Sequence, residues 1–305
     1  MPAPASESPL SPCVVVIKTP VAARQGVADR LASTGRRLAG EVSDAASEQE
    51  RTAATLLDAP AHLGVAPLTI SVDALDAKAR RALAGARLVI SVGGDGTLLA
   101  ASHWVTGAAL LGVNSAPGSS VGYTAIARRT NVARILSQIA SGALLPQPVA
   151  RLEIELEGKP LPPALNDVLV AHEQPAATSR YRLELPGARG LRAEDHRSSG
   201  LWVATAVGST AGIRSAGGQP MPLADRRLQF RARELYRVEG RNAHLEAGFV
   251  EPGRHLLVES AMQAGWLFVD GARISARFPF GARATFRVAS QPLRLFADPE
   301  RWAGE

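Results

Sequence analysis

Residues 93–97, Gly-Gly-Asp-Gly-Thr, place a single carboxylate inside a run of residues with almost no side chain. The run follows an apolar segment, Val89–Val92, and precedes a helix-forming stretch, so it lies where a buried strand turns into a helix. Ligands of open α/β sheets bind at such strand ends. Glycine lets the backbone come close to a phosphate and adopt φ > 0, and the amides of a helix N-terminus favour an anion. Gly93, Gly94, Gly96 and Thr97 are therefore expected to border phosphates. Asp95 runs against that electrostatic logic, because a carboxylate beside phosphates is repelled. It has a use there if it holds Mg²⁺ or takes the proton of an attacking hydroxyl. The structural alternative is a tight turn whose aspartate caps the helix. Gly-x-x-x-x-Gly-Lys-[Ser/Thr] is absent from the chain, and Gly-x-Gly-x-x-Gly is absent at this strand end. The P-loop and the dinucleotide-fold fingerprint are thereby excluded.

Three further segments carry groups that suit a nucleotide. Gly208-Ser209-Thr210-Ala211-Gly212, with Ser215-Ala216-Gly217-Gly218 after it, offers small residues and hydroxyls; a plain surface loop explains the same composition. Asn166-Asp167 sits inside the apolar segment Ala164–Val170. Burying either side chain unpaired would cost about 1–3 kcal/mol, so a ligand or a local turn must supply partners. Asn114-Ser115 ends another strand, and with Gly118 and Gly122 could complete the pocket of the 93–97 loop. The six histidines show no His-Glu-x-x-His spacing, and one cysteine, Cys13, excludes a Cys-based zinc site. There is no Gly-x-Ser-x-Gly nucleophile elbow.

These loops need a scaffold, and the periodicity supplies one. Strands are predicted at Cys13–Lys18, Pro67–Val72, Arg87–Val92 and Ala109–Val113. Helices are predicted over about 27–58, Ala74–Ala84 (with Asp73 as its cap), Leu98–Val105 and Asn131–Ser141. Such alternation implies a parallel sheet with helices on both faces. Pro146 and Pro148 mark a boundary. Beyond it the pattern becomes short strands at Leu152–Leu156, Leu165–Ala171, Arg180–Leu185, Leu201–Ala206, Leu228–Ala232, Leu256–Ser260, Gly265–Asp270, Ala284–Val288 and Leu293–Phe296, as in an all-β domain. The expected organisation is a disordered tail over 1–12, an α/β domain over 13–147, a β-rich domain over 148–283, and a terminal segment over 284–305.

The 305 residues are enough for two domains, with 46% hydrophobic and 20% charged residues as in soluble enzymes. No run of eighteen apolar residues is present, so no transmembrane helix is expected. The start of the chain lacks the basic and apolar regions of a signal peptide, and with the lone cysteine this leads to an expectation of the cytoplasm. The net charge is +6 and the pI about 10.2. The basic residues are nearly all Arg, spread along the chain without a dense run interleaved with aromatics. That distribution suits anionic metabolites rather than nucleic acid.

The order Gly-Gly-Asp-Gly-Thr, Asn-Asp, Gly-Ser-Thr-Ala and Val269-Asp270-Gly271, with its spacing, resembles the ATP-dependent NAD kinases from about Cys13 to Phe296. The first motif alone also occurs in diacylglycerol kinases and phosphofructokinases. The resemblance implies a kinase that uses ATP and Mg²⁺ to phosphorylate the adenosine ribose of NAD(H), with Asp95 at the reacting hydroxyl. It implies that Asn166 and Asp167 sit on the adenosine side, that Gly208, Ser209, Thr210 and Ala211 contact the dinucleotide, that the protein is a dimer or tetramer, and that Ala284–Trp302 returns to the first domain. The family commonly has Asn-Glu where this chain has Asn166-Asp167, Gly-Asp-Gly where it has Ser198-Ser199-Gly200, and Tyr where it has Gly212. The segments Arg197-Ser198-Ser199-Gly200-Leu201, Ala164-Leu165-Asn166-Asp167 and Ser215-Ala216-Gly217-Gly218 resemble the plant-type NADH kinases and mitochondrial-type NAD kinases, and Ser199 joins the NAD(H)-binding candidates. A lipid kinase of the diacylglycerol type and a non-catalytic dinucleotide-binding protein are the competing functions.

Overall fold

The β-branched run Cys13–Ile17 (CVVVI) cannot form a half-exposed strand without leaving valines in water, and in the computed structural model it lies inside a parallel sheet. The structure describes residues 10–19, 36–62, 66–187, 190–237 and 244–302. It divides into two units: 1–147 with 293–298, and 148–292 with 299–305.

In the first unit the strand order is Leu68–Ser71, Cys13–Ile17, Leu88–Gly93, Ala109–Asn114 and Leu293–Phe296, ending on Gln147–Val149, where the chain leaves the unit. Ala127–Arg128 pairs with Ala109–Asn114 off this path. Leu88–Gly93 and Ala109–Asn114 are buried along their whole length. They run parallel, with Gly93 opposite Asn114, so two strand ends and the loops behind them meet at one edge. Leu56, Val132, Ile135 and Leu136 from the helices pack on Val15, Ile90, Leu111 and Phe296.

The helix Arg36–His62 overlaps the long predicted one and runs past its expected end at 58; residues 27–35 fall outside the described part, as does most of the predicted tail. Two boundaries differ from expectation. Val72–Ala74 is a short 3₁₀ turn, and Asp76, not Asp73, caps the helix Ala77–Gly85 by accepting from Ala79 N at 2.8 Å. The helix after the glycine run begins at Asp95 rather than Leu98.

Among the described residues, the second unit holds two six-stranded antiparallel sheets. One is ordered Gly190–Ser198, Ser179–Gly187, His255–Ser260, Arg283–Val288, Leu152–Leu156, Lys159–Pro160. The other is ordered Ala247–Val250, Leu228–Arg233, Gly200–Ala204, Asp167–His172, Gly265–Val269, Ile274–Arg277. Alternate residues of both sheets, among them Ile154, Leu183, Val258 and Phe286 from the first and Val168, Leu201, Phe230 and Leu267 from the second, form a single apolar core. Gly190–Ser198 escapes sequence reading because most of its residues are exposed and polar; it is a strand through its pairing with Ser179–Gly187. The segment 284–305, expected to return to the first domain, divides between the two units. Arg283–Val288 stays in the second unit, Leu293–Phe296 joins the parallel sheet, and Trp302 is buried again in the second unit, its Nε1 donating to Val207 O at 3.2 Å.

Candidate active site

Asp95 is the first residue of the helix Asp95–Ser102, whose cap is the extended Gly94. The cap position belongs to Gly94 and the Asp95 carboxylate bonds elsewhere, which removes the reading of Asp95 as the helix cap. Instead the carboxylate reaches a loop 28–29 residues on: Oδ2 accepts from Tyr123 N at 2.9 Å, and Oδ1 accepts from Thr124 N at 2.8 Å and Thr124 Oγ1 at 2.5 Å. A carboxylate has about four lone-pair sites. Three are engaged, so the group is held in place and can still accept one proton from a ligand. Sequence reasoning missed Tyr123 and Thr124, because no pattern in the chain announces a partner that the fold brings from a distant loop.

Gly93 and Gly94 serve packing rather than unusual torsion. Gly93, Gly94 and Gly96 are not among the positive-φ residues, contrary to expectation. A Cβ on Gly93 would overlap the Thr97 side chain, and one on Gly94 would come within 2.5 Å of Ser120 Oγ. A Cβ on Gly96 would meet nothing within 4 Å, and Gly96 is exposed, which leaves open space beside Asp95. Thr97 is buried against Gly93. The left-handed residue here is Gly122 (φ 57), where a Cβ would also strike the Asn114 amide. That amide is turned onto its own loop: Asn114 Nδ2 donates to Ser120 O at 3.0 Å, and Oδ1 accepts from Ala116 N at 3.3 Å. Asn114 therefore braces the loop that carries Tyr123 and Thr124.

The second unit gathers the other predicted residues. Asn166 and Asp167 lead into the central strand Asp167–His172. Thr205 ties the end of the adjoining strand to them, its N–H donating to Asn166 O at 2.9 Å and its hydroxyl to Leu165 O. Gly208 then comes so close that a Cβ would fall on the Asn166 backbone. Ser209 is fully buried, with its hydroxyl donating to Ala206 O at 2.7 Å and accepting from Met221 N at 2.9 Å, so it builds the loop from inside. Thr210 and Ala211 are half-buried. A Cβ on Gly212 would stand 2.7 Å from the Trp202 indole, so Trp202 takes the space. Ser199 is half-buried, and its N–H donates to Arg233 O at 3.0 Å. Among the described residues, no three His, Cys, Asp or Glu side chains gather as a metal site, and no helix is long and apolar enough to cross a membrane.

Residues 21–144 match the family model described as the ATP-NAD kinase N-terminal domain. The "Probable NADH kinase" of Oryza sativa subsp. japonica is 38% identical over 206 residues, which span 61% of this chain and 63% of the rice protein. The NADH kinase of Arabidopsis thaliana is 36% identical over 237 residues, which span 68% of this chain and 72% of the plant protein. The chain belongs to the NAD kinase family. The crystal structure of an NAD kinase from Archaeoglobus fulgidus in complex with ATP shares the fold, with a TM-score of 0.66 at 20% identity over 95% of each chain.

Membership of the NAD kinase family gives the carboxyls of the second unit added interest. Asp167 is buried, and burial, helped by the negative charge of Asp270, pushes its pKa up to about 8. Arg151, also buried, has its pKa brought down to about 10 by burial, against the opposing pull of Asp270. The shift favours the neutral carboxyl near pH 7, a form able to donate a hydrogen bond as well as accept one. Its folded pKa stands above the ordinary value of 3.8. Between about pH 4 and 8 the unfolded chain has released a proton that the folded chain keeps, so stability falls as pH rises through that window. Asp167→Asn, which cannot ionise, is expected to lack this contribution. Relative to the variant, wild type should lose at least about 1.4 kcal/mol between pH 4.5 and pH 8, one pKa unit's worth. Urea unfolding of both proteins at the two pH values checks this; a constant difference between them would show that Asp167 ionises normally.

Proposed function

We propose that this chain transfers the γ-phosphoryl group of ATP to the 2′-hydroxyl of the adenosine ribose of NAD(H), giving NADP(H) and ADP. The observation that carries the reading is Asp95: a carboxylate at a strand-to-helix turn, held by three hydrogen bonds, with acceptor capacity left over and open space at Gly96 beside it. The ribose oxygen bonds to the γ-phosphorus, the bond from phosphorus to the bridging oxygen breaks, ADP leaves, and the hydroxyl proton passes to Asp95. The amides of Asp95 and Gly96 at the helix start favour the phosphates. Asn166 and Asp167 hold the acceptor ribose, the Gly208–Ala211 loop lies against the dinucleotide, and Gly93, Gly94 and Thr97 shape the donor side. Mg²⁺ keeps several waters and favours substrate phosphates over an all-protein cage, so a cation arriving with ATP would be held by the phosphates and leave the open lone-pair site of Asp95 to the ribose hydroxyl. When bound, the cation would neutralise charge on the phosphates. The two plant relatives named as NADH kinases support the same acceptor class. The test is incubation with Mg·ATP and NAD⁺, NADH or diacylglycerol. Phosphorylated dinucleotide is the expected product; phosphorylated lipid, or no product, overturns the reading.

NADH is expected to be used at least as well as NAD⁺. Ser199 stands where commoner family members have aspartate. A carboxylate about 6 Å from the nicotinamide ring would attract the cationic ring by roughly 3 kcal/mol at an effective dielectric of about 20, before desolvation and screening. A third of that shifts the ratio several-fold. With serine the bias is gone. The measurement is kcat/KM for both dinucleotides, in wild type and in Ser199→Asp. A tenfold wild-type preference for NAD⁺ contradicts the expectation. A Ser199→Asp ratio that does not move toward NAD⁺ removes the electrostatic cause.

A further inference from the structure

Three consecutive amides of the second unit converge on one side chain. Asp270 Oδ2 accepts from Leu165 N at 2.8 Å, while Oδ1 accepts from Asn166 N at 2.8 Å and Asp167 N at 3.0 Å. The link is reciprocal, because Asp270 N donates to Asp167 O at 2.9 Å. Asp270 adopts φ 49, a left-handed conformation that a non-glycine residue holds only when its surroundings enforce it. A row of backbone N–H groups is a concave anion site; here the anion is built into the chain, 103–105 residues away along it. Buried Arg151 lies within electrostatic reach as a counter-charge.

The consequence falls on Asn166. Its backbone N–H is taken by Asp270 and its backbone oxygen by Thr205 N, yet its side-chain Oδ1 is buried without a hydrogen-bond partner. An unsatisfied buried acceptor is costly, and a ligand that displaced its cover and brought an O–H or N–H donor would satisfy it.

We propose that Asp270 is a positioning residue for the dinucleotide: its carboxylate clamps the Leu165–Asp167 backbone so that Asn166 presents its unpaired side-chain oxygen to a donor group of the adenosine moiety. This rests on the reading that Asn166 contacts the dinucleotide. The clamp needs a carboxylate. Asparagine offers one acceptor oxygen and turns an NH₂ group toward an amide N–H, donor against donor. The same negative charge helps to keep Asp167 in its neutral form.

Asp270→Asn is expected to raise the dinucleotide KM at least tenfold, while the ATP KM and kcat at saturation stay within about threefold of wild type. Asn166→Ala is made alone and combined with Asp270→Asn. If Asp270 acts through Asn166, the double variant loses little beyond the worse single one. Full additivity, or equal losses in both substrates, gives Asp270 a merely structural role and overturns the proposal. A normal dinucleotide KM in Asn166→Ala sinks the underlying reading, whereas a defect in Asn166→Ala beside a normal Asp270→Asn sinks the clamp alone. Should Asp270→Asn fail to fold, hydrogen exchange on wild type decides. The Leu165, Asn166 and Asp167 amides are expected to be protected before dinucleotide is added. Fast exchange that slows only on addition of NADH shows that no clamp pre-exists.

Discussion

Asp95→Asn is expected to lower kcat by about 10²–10⁴-fold, the span of general-base contributions, or roughly 3–5 kcal/mol of barrier. Asparagine matches aspartate in shape but cannot take the proton. It keeps an oxygen for the two donors of Thr124 and turns an NH₂ group onto Tyr123 N–H, so one of the three hydrogen bonds becomes a donor–donor contact. The lost bond is worth about 1 kcal/mol to the fold, too little to unfold the unit. Phosphoryl transfer passes through a loose transition state in which a base need not contribute heavily. A loss at the low end of the span therefore assigns Asp95 to orienting the hydroxyl or the phosphates. Thr124→Val separates the two roles, since it removes one donor and leaves the carboxylate, and should cost far less. The measurements are saturating kcat for both substrates and the thermal melt of each variant. Asp95→Asn turning over within tenfold of wild type, with an unchanged melt, would refute its place at the reacting hydroxyl.

Gly208→Ala should have the second largest effect, and on the other unit. The added methyl lands on the oxygen, carbonyl carbon and Cα of Asn166. All three are backbone atoms, held by Thr205 on one side and Asp270 on the other, so no side chain can rotate away to make room. Either the Gly208–Thr210 turn or the start of the strand Asp167–His172 must shift. Overpacking of this kind costs about 1–3 kcal/mol, which in a unit of this size lowers Tm by about 2–4 °C per kcal/mol. The dinucleotide KM is expected to rise about tenfold as Asn166 and the loop lose register, with the ATP KM nearly unchanged. Calorimetry and steady-state kinetics on the single variant test both parts. A wild-type Tm together with a wild-type dinucleotide KM would mean that the approach of Gly208 to Asn166 has no energetic weight.

Much of this protein is legible along the chain. Cys13–Ile17, Leu88–Gly93 and Ala109–Asn114 are continuous apolar runs, and such runs can satisfy water only by being buried on both faces, which dictates a parallel sheet under helices. The glycine run after Val92 marks the strand end, and the alternation beyond Pro148 marks the change of architecture. These are local properties, set by residue type and spacing over fewer than ten positions. What the chain alone leaves undetermined is set by partners distant in sequence. Asp95 reads as a reactive carboxylate with a helix cap as the alternative until the fold brings Tyr123 and Thr124 to it. The left-handed torsion expected at residues 93–96 occurs at Gly122 instead, because packing against Asn114 decides it. The strand Gly190–Ser198 has no apolar alternation and exists by pairing with its neighbour. Leu293–Phe296 joins a sheet whose other strands lie far earlier in the chain. The protonation of Asp167 follows from burial and from Asp270, 103 residues away, since electrostatics depends on distance in space and on the exclusion of water rather than on separation along the chain.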